Sequence, residues 1–212
     1  MSDGVEFSAL ELDALQETMN VGFGQAAASL SEVIDMQVVL SVPKVAMIAN
    51  EGIAAFVRSE IQDPAAFCMV EQFFFGRFSG TSFLLLPENE GRKLVDLFGA
   101  QPDPEFAGES LDALERDIVV EIGNIIIGAC VGKIAEMLKD VVCYHPPRYL
   151  AGPVDQELIN RHIRPGGGLA LVFKTVFKFE RQDVLGFLFL VTGDDTASWL
   201  KKAVDEMLEG LL

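Results

Sequence analysis

Basic residues, histidine and cysteine are all scarce in this chain, and each scarcity removes a class of function. Only 16 Lys and Arg stand against 32 Asp and Glu, a formal net charge of −16 over 212 residues. Binding to a nucleic-acid backbone needs clustered cations, and an anionic bilayer repels such a surface, so neither partner is expected. The three cysteines, Cys68, Cys130 and Cys143, lie far apart with no C-x-x-C spacing. They read as buried free thiols in a reducing compartment. The two histidines, His145 and His162, are not in metal-ligand spacing and read as solvated or core side chains. The Met1–Phe7 start is acidic and lacks a basic-then-apolar signal pattern. No apolar run long enough to cross a bilayer stands out, because Ile118–Val131 is broken by Glu121 and Asn124 and reads as a buried helix. With half the residues apolar and 23% charged, the chain must fold. A soluble, acidic, cytoplasmic protein without membrane insertion is expected.

What the chain does have is a repeat. Displaced by 104 positions, it matches itself without gaps: Asp13, Glu17, Asn20 and Pro43 fall on Asp117, Glu121, Asn124 and Pro147. Gly24 falls on Gly128, Leu30 on Ile134, and Phe83–Leu86 on Phe187–Leu190. The pattern Asp-x3-Glu-x2-Asn-x22-Pro arises by chance about once in 10⁵ starts, so two copies at one offset signal duplication. A single domain spanning 1–212 is expected, with halves 1–99 and 108–212 joined by the acidic, Pro-containing Gly99–Gly108.

Each half begins with a long helix, Ser8–Asp35 and Asp112–Lys139. Ser8 with Glu11, and Asp112 with Glu115, have capping-box spacing. β-rich segments follow: Ile53–Ser59, Phe67–Phe78 and Thr81–Leu86, then Leu169–Phe179 and Val184–Val191. Turn residues such as Ser79-Gly80 favour antiparallel hairpins. Helices Glu88–Phe98 and Asp195–Leu208 close the halves. The expected fold is α+β, a pseudo-two-fold duplicated domain with long helices packed on antiparallel sheet.

On a wheel of about 100° per residue, Leu12, Leu15, Met19, Phe23, Ala26 and Leu30 form the core stripe of the first helix. Asp13, Glu17 and Asn20 form a separate row at i, i+4 and i+7, and Asp117, Glu121 and Asn124 repeat it. Acidic residues on a helix are ordinarily a solvated face. Asn is harder to dismiss, since it gains nothing mid-helix beyond local hydrogen bonding. Gly22, Gly24, Gly123 and Gly128 each cost the helix about 1 kcal/mol relative to Ala. They serve either close helix packing or the approach of a partner backbone. Pro43 and Pro147 suit a stiff turn that opens a strand. No Ser, Cys or Lys nucleophile recurs in both halves, and one Glu with one Asn is too few hard ligands for a metal cage. What remains is positioning: a carboxamide that holds a water and a carboxylate that pairs with a cation on a partner.

These residues, with Glu17-Thr18-Met19-Asn20-Val21-Gly22-Phe23-Gly24 and Glu121-Ile122-Gly123-Asn124-Ile125-Ile126-Ile127-Gly128, resemble the CheC/CheX/FliY family of chemotaxis phosphatases over essentially the whole chain. Two motifs at this length correspond to the CheC arrangement. The resemblance implies hydrolysis of the phosphoaspartate on a CheY-type response regulator. It makes Glu17, Asn20, Glu121 and Asn124 catalytic: each Asn orients the attacking water, and each Glu pairs with the regulator's lysine. Asp13, Pro43, Asp117 and Pro147 shape the sites. No cofactor of its own is implied; Mg²⁺ belongs to the regulator. The two contexts differ, with Met19 replaced by Gly123 and Gly22 by Ile126, which leaves unequal activity open. A fused pseudo-dimer has little need of a second copy, so a monomer is expected. The rival reading is a non-catalytic adaptor that binds a receiver domain or a CheD-type deamidase. A metal-dependent hydrolase is disfavoured by the absent ligand clusters.

Overall fold

The computed structural model describes residues 6–33, 35–60, 67–97, 113–152, 157, 169–179 and 184–209. The expected boundary segment Gly99–Gly108, together with Asp112 and His162, lies outside them.

Two helices of 25 residues each, α1 (Ala9–Val33) and α4 (Ala113–Met137), begin the halves. Ser8 caps α1 as expected: its backbone N–H donates to Glu11 Oε2 at 2.6 Å, and the Glu11 N–H donates to Ser8 Oγ at 3.3 Å. Both helices end alike. Asp35 (φ 50°) and Lys139 (φ 53°) adopt the left-handed conformation at matching positions. The next N–H reaches back five residues, Met36 to Ser31 O at 3.1 Å and Asp140 to Ala135 O at 2.8 Å. These are Schellman closures built without glycine.

The remaining elements are β1 (Val38–Leu40), β2 (Lys44–Ala49), α2 (Ile53–Ser59), β3 (Phe67–Phe75), β4 (Gly80–Pro87) and α3 (Glu88–Leu97), followed after α4 by β5 (Cys143–Tyr144), β6 (Arg148–Ala151), β7 (Leu169–Phe179), β8 (Val184–Thr192) and α5 (Asp194–Glu209). All strand pairs are antiparallel. The sheet order is β1-β7-β8-β4-β3-β5, with β2 also on β7 and β6 also on β3. The two halves therefore meet at the central β4–β8 pair and again at both edges, where β1 and β2 of the first half pair with β7 and β5 and β6 of the second half pair with β3.

The central strands are apolar on both sides because both sides are covered. Val70, Leu84, Leu86, Leu188 and Leu190 join the large core under α1 and α4. Their neighbours Met69, Phe83, Leu85, Phe187 and Phe189 join a second cluster under α2. Alternation between two buried faces explains the unbroken runs Phe83–Leu86 and Phe187–Leu190.

Four expectations need correction. Ile53–Ser59 is a helix, not a strand: Ile53, Ala54 and Val57 share a helical face, and all three are buried on the sheet. The 104-residue offset holds for the long helices, the prolines and the short strands that flank them, but not for the central strands of the sheet. Glu71 pairs with Arg148 and Lys174 with Lys44, so β3 and β7 correspond at 103, while α3 and α5 start 106 apart. Insertions and deletions in the loops have shifted the strands. Cys68 and Cys130 are buried as expected, whereas Cys143, on the two-residue edge strand β5, is exposed. Finally, α4 is long and apolar enough to cross a membrane on length and composition alone. Here it packs on α1, α3, β3, β4 and β6, with Val119, Ile122, Ile126, Ile127 and Ile134 buried.

Candidate functional site

The two polar rows occupy equivalent places on α1 and α4. Asp13, Glu17, Asp117 and Glu121 are exposed, and Asn20 and Asn124 are half-buried. Leu15, Met19, Phe23, Ala26 and Leu30 of the expected stripe are fully buried, and Leu12 is half-buried at its edge. The structure brings each row together on one helix face and keeps the two rows on separate helices. Among the described residues, no hydrogen bond or ion pair joins members of a row to one another. Pro43 is buried and Pro147 half-buried, and each stands immediately before a strand, β2 or β6, as a stiff turn would.

The four glycines divide by role. A β-carbon on Gly22 would sit 3.1 Å from Met137 Sδ, and one on Gly123 would sit 2.8 Å from Val70 Cγ2. Those two serve internal packing, Gly22 against α4 and Gly123 against β3. A β-carbon on Gly24 or Gly128 would meet nothing within 4 Å. Internal packing therefore does not account for the second pair, which opens the helix surface beside each row. Leu10 and Leu114, one turn before Asp13 and Asp117, are also matched and exposed, at 65% and 60%.

Behind the rows lie residues that the sequence reading did not single out. Beside the second row, Gln72 of β3, a strand contributed by the first half, is buried and its Nε2 donates twice, to Asn124 Oδ1 at 2.9 Å and to the His145 carbonyl at 3.0 Å. Beside the first row the same place belongs to Thr175 of β7, a strand contributed by the second half. Its Oγ1 donates to the Ser41 carbonyl at 2.8 Å, and Ser41 occupies the place of His145. The match is fixed by the backbone: His145 N–H bonds Phe73 O at 3.0 Å, and Ser41 N–H bonds Val176 O at 2.8 Å. Thr175 makes no hydrogen bond to Asn20. The signal for Gln72 was present in the sequence, since it breaks the inward-facing series Cys68, Val70, Phe74 with a polar residue.

The surroundings also differ. Near Asn124, the His145 ring packs against Phe75 with centroids 5.3 Å apart, and Arg116 stacks over Tyr149 at 5.4 Å. Tyr144 donates to the Gly128 carbonyl at 3.4 Å, and burial pushes its phenol up to about 12. Near Asn20 the matching positions carry Ser41, Leu12, Val45 and Leu40. Among the described residues, no three His, Cys, Asp or Glu side chains converge to hold a metal ion.

The CheC-like family model matches residues 10–47, which include Asp13, Glu17, Asn20 and Pro43. The chain is similar to the flagellar motor switch phosphatase FliY of Bacillus subtilis (strain 168), with 26% identity over 154 residues covering 72% of this chain and 38% of FliY. It is also similar to the CheY-P phosphatase CheC of the same organism, with 21% identity over 130 residues covering 61% of this chain and 60% of CheC. The matches thus span less than two thirds of either relative. Thermotoga maritima FliY shares the fold at a TM-score of 0.71 and 18% identity, covering 95% of this chain and 99% of that one. The FliM middle domain from H. pylori does so at a TM-score of 0.59 and 11% identity, covering 93% and 99%. The chain is thus similar to the CheC-like family over its first row and to FliY and CheC over longer stretches, and it shares the fold of T. maritima FliY.

Proposed function

We propose that this chain hydrolyses the phosphoaspartate of a CheY-type response regulator, with Asn20 and Asn124 orienting the attacking water. The observation that carries the reading is the duplicated, outward-facing Glu/Asn pair, each set beside a glycine with open space over it. The relatives' names point the same way, since FliY and CheC are both called phosphatases.

An aspartyl phosphate is already reactive, so placing a water in line with the scissile P–O bond is enough to accelerate its loss. The carboxamide suits that task because it offers both a donor and an acceptor. Water attacks phosphorus, the bond to the aspartyl oxygen breaks, and the carboxylate leaves with its electron pair. Exposed Glu17 and Glu121 are free to pair with a lysine of the docked regulator, which fixes the approach. Mg²⁺ would be held by the regulator. Action on such a regulator would be cytoplasmic, and the internal pairing of the two halves suits a monomer.

The test is phosphate release from a CheY-type regulator phosphorylated with acetyl phosphate. Asn20→Ala combined with Asn124→Ala should lower turnover by about 10²-fold, the scale of a misplaced reactant. A double variant as fast as wild type would refute the mechanism. A second reading, an adaptor that binds a receiver domain or a CheD-type deamidase, draws on the FliM middle domain, whose fold also occurs in a FliG–FliM complex. Stoichiometric rather than catalytic loss of phospho-regulator would favour it.

A further inference from the structure

The two rows are not equally prepared, and the cause lies behind them. We infer that Gln72 is a positioning residue for Asn124, and that the second site therefore turns over faster than the first. This inference rests on the phosphatase reading of the Glu/Asn rows.

The argument begins at Gly123. With no side chain there, α4 lies directly on Val70 of β3. The matching residue of α1 is Met19, a fully buried side chain where α4 has none. The packing follows suit: α4 rests on β3, whereas α1 meets the sheet chiefly through β1 and β2. Among the described residues, a strand side chain hydrogen-bonds the Asn on the α4 side and none does on the α1 side.

The orientation of that contact is also fixed. The His145 carbonyl can only accept, so the Gln72 amide must turn Nε2 toward it. The second hydrogen on Nε2 then meets Asn124 at 2.9 Å, which must present Oδ1 to receive it. Asn124 is thereby locked in one of its two flips. Both Nδ2 hydrogens and one Oδ1 lone pair are left for a water. Gln72 is only 2% exposed, and its Oε1 has no hydrogen-bond partner among the described residues. Burying an unmatched acceptor is costly, so a glutamine at this position is a poor choice for stability alone. Thr175 makes the corresponding carbonyl bond and then stops short of Asn20. Asn20 keeps its rotamer and flip freedom and must lose it when the substrate binds.

The experiment uses the full chain in two backgrounds: Asn20→Ala, which reports the second site, and Asn124→Ala, which reports the first. Steady-state phosphate release is measured on a CheY-type regulator phosphorylated with acetyl phosphate. Gln72→Leu should lower kcat of the second site about tenfold, the worth of one hydrogen bond, with KM unchanged. It should leave the first site as it was. Thr175→Gln should raise kcat of the first site. An equal fall in both backgrounds, or a change confined to KM, would overturn the inference in favour of a structural role for Gln72. Side-chain amide ¹⁵N relaxation decides the matter without turnover. Asn124 should be more ordered than Asn20 in the wild type, and Gln72→Leu should release it. Equal mobility of the two amides in the wild type would overturn the inference. If no turnover depends on either Asn, the phosphatase reading is what fails, and relaxation still judges the role of Gln72.

Discussion

The first and second rows sit on helices of equal length with matching C-terminal closures, yet one helix lies against its strand and the other stands off it. The difference reduces to one position. Met19 and Gly123 occupy the same place in the repeat, and each is right only for its own half. Duplication preserved what the helix surface presents, namely the carboxylate, the carboxamide and the open glycine. It did not preserve what holds that surface in place. Selection on a surface and selection on its support are separable when the support comes from a different element.

Exchanging support at that position should give the largest effects. Met19→Ala opens a cavity in a fully buried site and should cost about 2–5 kcal/mol. Gly123→Ala drives a β-carbon into Val70, a stiff β-branched neighbour, and should cost about 1–3 kcal/mol. Urea denaturation checks both. Their signatures should differ, because only Gly123→Ala lifts α4 away from Gln72 and frees the Asn124 amide. If Gly123→Ala is neutral, the close approach of α4 to β3 does not exist.

Gly24 and Gly128 should move the other way. Each sits inside a helix with open space beyond it, so Ala at either position should stabilise the fold by about 0.5–1 kcal/mol. The melting temperature should rise while phosphate release falls, because the methyl group stands where a docked regulator would approach. A rise in both would mean that the open glycine face takes no part in docking.

The legibility of this molecule in its sequence follows the range of the interactions involved. The two long helices were readable because their stripes and the Ser8–Glu11 cap are local. The Glu/Asn rows were readable because helical periodicity alone puts them on one face. Helix α2 was misread, since Ile53, Phe56 and Val57 suit a strand and only packing against Phe83 and Phe189 makes the segment helical. Strands β1, β2, β5 and β6 are too short and too half-exposed to alternate clearly. The bond from Gln72 to Asn124 joins residues 52 apart, and no local pattern encodes it. The shift of β8 by two residues from the common offset was invisible because its Phe-Leu alternation matches itself at an even displacement.

The smallest effect concerns how the first helix is anchored, and pH isolates it. Glu11 closes the cap of α1 and also accepts a hydrogen bond from the ammonium of Lys201 on α5. The Lys201 bond, followed by the Ser8 N–H, pulls its carboxyl down from 4.5 to about 2. A carboxyl with a lowered folded-state pKa binds fewer protons in the native chain than in the unfolded one. Its stabilisation is therefore complete above about pH 4.5 and is lost as the pH falls toward 2. Lys201 is one-third exposed, so solvent screens the pair and the contribution is modest. Glu11→Gln should lower stability at neutral pH and flatten its decline between pH 4.5 and 2, as read by denaturation at each pH. Amide exchange should quicken in the first turn of α1 and not in α4, because Lys201 ties only the first helix to α5. An unchanged acid profile in Glu11→Gln would show that the cap holds without its charge, and that the first row depends on packing alone.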